Sequence, residues 1–209
     1  MECPVRLAVL LSGGGTTLQN LLDRIADGRL PARVEVVIAS RVDAGGLERA
    51  RRAGIAAVAV PRKRFADVDR FNDALHDELQ RHELDLIVMA GFLSPFQLRS
   101  RYAGRVMNIH PALIPAFCGK GFYGEKVHRA ALDAGVKVSG CTVHFADDQY
   151  DHGPIILQGT VPVLDDDTPE TLAARVHVVE NELYPEAIRL WAEGRLEVTG
   201  RRVKIRSEV

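Results

Sequence analysis

Asn108-Ile109-His110-Pro111 puts a carboxamide and an imidazole on alternate positions of one short run. If that run ends a β-strand, alternate side chains leave the same face. Both groups would then stand beyond a strand's carboxyl end, where open α/β sheets place their ligands. A neutral imidazole can take a proton near pH 7, and a carboxamide N–H can donate to an oxygen that gains charge during a reaction. A carboxylate held against the ring would orient it and favour its protonated form. The acidic loop Asp147-Asp148-Gln149-Tyr150-Asp151-His152-Gly153-Pro154 contains such carboxylates, although nothing in the sequence brings Asp151 to His110.

A second candidate lies near the start, where an apolar run is followed by Ser12-Gly13-Gly14-Gly15-Thr16-Thr17 and then a helical pattern. A strand, a glycine-rich turn and a helix present free backbone N–H groups and the positive end of a helix dipole to an anion. No Gly-Lys-Ser/Thr closes the segment and the third glycine of the dinucleotide spacing is absent, so a monophosphate fits better than a triphosphate or pyrophosphate. Each feature also fits a structural role. The glycines suit a tight strand-to-helix turn, a His before Pro can be architectural, and Asp147 to Pro154 can be a solvated turn. His144 fits a packed core histidine as well as a functional one, and Glu180 fits a solvated helix face.

The elements that must position these residues alternate between short apolar runs and stretches of helical period, the pattern of βαβ units. Strands are expected at Leu7–Leu11, Val34–Ala39, Ala56–Val60, Leu84–Met89 and Arg105–Asn108. Helices are expected at Thr16–Ala26, Gly46–Ala53 and Asp67–Arg81, with a short one at Phe96–Tyr102. Ile109 to Gly124 is too rich in helix breakers to be regular, which makes it a candidate site wall. Beyond it come a helix at Glu125–Ala134, a hairpin of Val138–Phe145 and Pro154–Val163, and a long helix at Pro169–Glu193. That helix is capped by Thr168, should be kinked or broken by Pro185, and turns Leu172, Val176, Val179, Leu183 and Ile188 inward. Leu196–Val198 and Arg202–Ile205 form a terminal hairpin turned by Gly200.

The expected fold is α/β and Rossmann-like, a mostly parallel central sheet with helices on both faces and an antiparallel strand pair toward the C-terminal half. A single domain over 1–209 suits 209 residues, with 1–108 as a phosphate-binding βαβ half. Residues 109–209 would carry the catalytic loop, hairpin and long helix. Lys and Arg total 27 against 28 Asp and Glu, which gives no reason to expect nucleic acid or an anionic membrane as partner. Arg62-Lys63-Arg64 reads as a solvated loop. Cys3, Cys118 and Cys141 are odd in number and widely spaced, against a disulfide framework or a zinc site and in favour of a cytoplasmic setting. The N-terminus lacks the pattern of a secretory signal, and no apolar run is long enough to span a membrane.

Several separated segments together resemble the folate-dependent formyltransferase family. They are Val9 to Gln19, Gly46 to Ile55, Met89 to Phe92, Asn108 to Pro115, Val143 to Phe145, Asp151 to Gln158 and Glu180 to Pro185. The resemblance is strongest to members that formylate glycinamide ribonucleotide. It implies that Asn108, His110 and Asp151 are catalytic, that Gly13, Gly14, Gly15 and Thr16 hold the substrate phosphate, and that Glu180 contacts the substrate. It also implies that Met89, Ala90, Gly91, Phe92 and Leu93, with Asp147 and Asp148, wall the folate pocket. The cosubstrate would be 10-formyltetrahydrofolate with no metal, and the assembly a monomer or homodimer. In the implied reaction the substrate amine attacks the formyl carbon, and Asn108 and protonated His110 stabilise the oxyanion. Asp151 holds the ring charged and helps relay the proton through water.

The sequence departs from the family after Phe92, where Leu-Ser-Pro replaces a longer form with an Arg. It departs again after Pro115, where Ala116 to His128 replaces a short Pro-Gly turn, its glycines and Lys120 suggesting a rebuilt wall. Gly14 and His152 stand where Asn and a small residue are usual. A formyltetrahydrofolate deformylase, which delivers water, shares the trio but adds an N-terminal regulatory domain. A methionyl-tRNA formyltransferase shares the core but adds a C-terminal RNA-binding domain, which the lack of a basic segment gives no reason to expect here. A non-catalytic module binding a phosphate ligand is the reading from a different class.

Overall fold

Leu7 to Leu11 is an unbroken apolar run, and such a strand is stable where both its faces are covered. In the computed structural model, which describes residues 4–207, this run lies in β1 (Val5–Leu11), and Leu7 to Leu11 are fully buried. The chain forms two compact units, Met1–Met107 and Asn108–Val209.

In the first unit β1 is followed by α1 (Thr16–Ala26), β2 (Ala32–Ala39), α2 (Gly45–Arg52), β3 (Ala56–Ala59), α3 (Val68–Leu79) and β4 (Leu86–Met89). The strands lie in the order β3-β2-β1-β4 and all pair in parallel. The chain steps outward from β1 to β2 and β3, then returns to place β4 on the other side of β1. Loops leaving the carboxyl ends of β1 and β4 therefore diverge at a topological switch point, the usual place for a ligand in such sheets. The Asp67 side chain caps α3 by accepting from the Arg70 N–H at 2.8 Å. Phe71, Leu75 and Leu79 of α3 are fully buried, each contributing roughly 1.5–3 kcal/mol.

The short helix expected at Phe96–Tyr102 does not form; only Ser100–Tyr102 makes a turn of 3-10 helix. Buried polar side chains of α3 instead bond the backbone at the start of this segment. The Asn72 amide donates to Pro95 O at 3.2 Å, its oxygen accepts from Gln97 N at 2.8 Å, and His76 Nε2 donates to Gln97 O at 2.8 Å. Arg62 departs from the solvated loop expected of its cluster, since its guanidinium lies over the Phe71 ring, 5.8 Å from the centroid.

β5 (Val106–His110) carries the chain into the second unit. It is longer at its carboxyl end than expected, so His110 belongs to the strand itself. There follow α4 (Glu125–Asp133), β6 (Val138–Phe145), β7 (Ile155–Pro162), α5 (Pro169–Ala192), β8 (Leu196–Thr199) and β9 (Arg202–Ile205), in strand order β5-β6-β7-β9-β8. β6 and β7 pair antiparallel, as do β8 and β9, so both expected hairpins are present. Gly140 and Gly159 are required where β6 and β7 face each other and α5. A Cβ on Gly140 would lie 1.9 Å from Gly159 O, and one on Gly159 2.3 Å from Val179 Cγ1.

α5 starts at a capping box in which Thr168 and Thr171 exchange backbone-to-side-chain hydrogen bonds. It runs as one helix through Pro185, and the expected break is absent. Leu172 and Val176 pack with Ala131, Cys141 and Val161, flanked by Val179, Leu183 and Phe117. Burial pushes the Cys141 thiol up to about 12, so it packs as a small apolar residue. Cys118 and Cys141 are free, and Cys3 lies outside the described residues. The α/β, Rossmann-like class is the one observed, with parallel strands and helices preceding an antiparallel pair. Among the described residues no helix is long and apolar enough to cross a membrane.

Candidate active site

At the end of β1 the chain enters the glycine loop through Ser12, whose side chain points inward and is structural. Its Oγ lies 2.6 Å from Ser40 Oγ and accepts from Leu93 N at 2.8 Å, while Ser12 N donates to Gly91 O at 3.0 Å. The loops after β1 and β4 are thereby tied together. Gly15 takes a left-handed conformation at φ 75 and caps α1 with no side-chain hydrogen bond, and no acidic residue stands in the helix's first turn. Among the described residues no protein acceptor meets the N–H groups of Gly13, Gly14 and Gly15. A helix start with bare N–H groups is chemically suited to an anion. Of the residues expected to wall a folate pocket in this unit, Gly91 and Leu93 are exposed and Ala90 is buried. Phe92 stacks on Phe71 with ring centroids 6.4 Å apart.

In the second unit the structure brings together the residues that no sequence spacing could join. Asp151 Oδ2 lies 3.5 Å from His110 Nδ1, and Asp151 Oδ1 accepts from Asn108 Nδ2 at 3.3 Å. Asp151 itself is left-handed at φ 54, a conformation that aspartate tolerates better than most residues. The turn that carries it packs closely, since a Cβ on Gly153 would lie 1.8 Å from Phe145 O. His110 is buried, and its Nε2–H donates to Phe117 O at 2.9 Å. Both ring nitrogens thus face acceptors, an arrangement that a doubly protonated imidazole satisfies.

His144, which fitted either role in the sequence, joins this cluster. Its Nδ1–H donates to Phe145 O at 2.9 Å, which leaves Nε2 to accept from Asn108 Nδ2 at 3.1 Å. This tautomer is assigned from the hydrogen-bond pattern. His144 therefore sets the orientation of the Asn108 amide. Burial works against ionisation of Asp151, while His110 and the Gly119 N–H at 2.9 Å favour the carboxylate. The carboxyl is held below its ordinary range.

The segment after Pro115 is tied into the same cluster by Phe117, left-handed at φ 49, whose ring packs on the core while its carbonyl meets His110. Lys120 is exposed. Asp147 accepts from His152 Nδ1 at 2.7 Å and from Gln149 N at 2.9 Å, whereas Asp148 is exposed. Glu180, on α5, accepts from His177 Nδ1 at 2.9 Å, and this bond holds the His177 imidazole above its ordinary range against the effect of burial. His128, on α4, is a residue that the sequence did not single out. It is buried, its Nδ1 meets no partner among the described residues, and burial lowers its pKa, with Glu180 opposing and His110 adding to the fall. No signal along the chain marks it, because packing of α4 alone decides its burial.

A family model describing formyl transferases matches residues 5–188, a span that contains every candidate named above. The chain belongs to the formyl transferase family. It is 39% identical to the chloroplastic phosphoribosylglycinamide formyltransferase of Arabidopsis thaliana, over 92% of this chain and 67% of the plant protein. It is also 39% identical to the phosphoribosylglycinamide formyltransferase of Haemophilus influenzae, over 92% of this chain and 90% of that one. The crystal structure of glycinamide ribonucleotide transformylase 1 from Symbiobacterium toebii superposes with a TM-score of 0.90 at 47% identity, covering 99% of this chain and 96% of that chain. The resemblance read from the motifs is borne out, as is the expected enzyme class.

Proposed function

We propose that this enzyme transfers the formyl group of 10-formyltetrahydrofolate to the primary amine of glycinamide ribonucleotide, a step of purine biosynthesis carried out in the cytoplasm. The observation that carries this reading is the cluster of Asn108, His110 and Asp151, with Asp151 3.5 Å from His110 and 3.3 Å from Asn108. The amine nitrogen attacks the formyl carbon, forming a C–N bond while the carbonyl electrons move to oxygen. Protonated His110 and the Asn108 amide, whose orientation His144 sets, stabilise this oxyanion. Collapse of the tetrahedral intermediate breaks the bond to N10 of the folate. The proton lost by the amine reaches N10 by way of water and the His110–Asp151 pair.

Gly13, Gly14, Gly15 and Thr16 hold the ribonucleotide's phosphate, and Glu180, with His177 beside it, contacts the same substrate. Met89 to Leu93, with Asp147 and Asp148, receive the folate. The enzyme acts as a monomer or homodimer. Appearance of the folate product, followed by absorbance with and without glycinamide ribonucleotide, tests the reading. Turnover that requires the ribonucleotide is expected. Turnover that ignores it identifies a hydrolase, and no turnover under either condition identifies a binding module.

A further inference from the structure

Gly45 and the motif beginning at Gly46 lie directly against the glycine loop, and their role is not explained by the chemistry above. Gly46 N donates to Gly13 O at 3.1 Å, and Arg49 Nε donates to Gly14 O at 2.8 Å. Arg49 Nη1 also donates to Gln19 Oε1 at 3.0 Å, which joins α2 to the first turns of α1. The approach is close enough to require glycine on both sides. A Cβ on Gly15 would lie 2.6 Å from Gly46 Cα, and one on Gly46 2.4 Å from Leu11 Cδ2.

A trans peptide points its C=O and the following N–H in opposite directions. Anchoring the carbonyls of Gly13 and Gly14 on α2 therefore turns the N–H groups of Gly14 and Gly15 away from α2. Among the described residues those N–H groups meet no protein acceptor. Three consecutive glycines have unusual freedom to rotate their peptide planes, and a rotated plane would offer an anion a carbonyl oxygen in place of a donor. The loop from Gly13 to Gly15 has no lysine, so its affinity for an anion depends on how these planes are held.

We propose that Arg49 is a positioning residue for the phosphate loop, fixing the Gly14 carbonyl and α1 so that the backbone donors face the phosphate before substrate arrives. This rests on the reading that Gly13 to Thr16 take the phosphate. A lysine would reach one acceptor but would not hold Gly14 O and Gln19 Oε1 with one planar group.

The test compares turnover of glycinamide ribonucleotide with that of its dephosphorylated riboside in the wild type, Arg49→Met and Arg49→Lys. In Arg49→Met the preference in kcat/KM for the phosphorylated substrate is expected to fall by about tenfold or more, as for loss of a charge-assisted hydrogen bond. Turnover of the riboside and the KM for folate should stay near wild type, with Arg49→Lys between the two. An undiminished preference in Arg49→Met overturns the proposal, and so does an equal loss for both substrates, which a merely structural role produces. A wild type without preference for the phosphate overturns the phosphate reading, and the positioning role with it. Should Arg49→Met fail to fold, Gln19→Leu removes the second anchor and is expected to lower the preference about threefold; an unchanged preference there overturns the proposal.

Discussion

Asp151 reaches His110 from a left-handed backbone conformation, with its Oδ2 3.5 Å from the ring Nδ1 and its other oxygen 3.3 Å from the Asn108 amide. Asparagine has the same shape and tolerates the same φ, so Asp151→Asn removes charge with little strain. Turnover is expected to fall by about a hundredfold or more, while folate affinity, read by fluorescence titration, stays near wild type. Unchanged turnover would remove Asp151 from the mechanism.

His144 accepts a hydrogen bond from the Asn108 amide and so sets which way that amide faces. His144→Ala leaves the amide free to rotate, and kcat is expected to drop about tenfold with the KM for both substrates nearly unchanged. A steady-state comparison checks this; a rise in KM alone would mean that His144 acts on binding.

Glu180 holds the His177 imidazole charged above its ordinary range. A group whose folded pKa is raised stabilises the fold fully below its unfolded pKa, near 6.5, and loses that contribution as pH rises through the folded value. Glu180→Gln should lower the His177 pKa, followed by NMR of the ring, and flatten the dependence of stability on pH above about 6.5. A His177 titration identical in the variant would show that the 2.9 Å contact does not set its charge.

Arg6 holds the Asp85 carboxyl down to about 2 through hydrogen bonds of 2.9 and 2.8 Å. Because this pKa is depressed, its stabilisation is present above the unfolded value, near 3.9, and is lost as pH falls through the folded one. Asp85→Asn should lower the urea midpoint at neutral pH and remove part of the fall between about pH 4 and pH 2. Parallel curves for the two proteins would contradict this.

Gly15 has φ 75, and an added Cβ would lie 2.6 Å from Gly46 Cα. Gly15→Ala therefore meets both a backbone penalty and a clash with backbone, and should cost about 2 kcal/mol or more. Urea denaturation measures it; a loss within about 0.5 kcal/mol, the range of a neutral surface change, would mean that the loop moves to accommodate the methyl.

Much of this was legible along the chain because the deciding forces are local. Continuous apolar runs such as Leu7 to Leu11 read as doubly buried strands, and the capping pattern at Thr168 announced α5. The segment from Gly13 to Thr16 read as a strand-to-helix turn because glycines and a helix start act within a few residues. Reading failed where a distant side chain satisfied the backbone. Phe96 to Tyr102 has a helical pattern, yet Asn72 and His76 bond the backbone at its start and hold it irregular.

The sequence by itself determined which residue types were available and which elements would carry them, since hydrophobic period, glycine placement and capping all act through neighbours in the chain. Tertiary structure alone decided that Asp151 meets Asn108 and His110, that His144 orients the amide, and that Arg49 holds the Gly14 carbonyl. These contacts join residues far apart in sequence. Their geometry is set by how strands register and helices pack, which no local preference encodes.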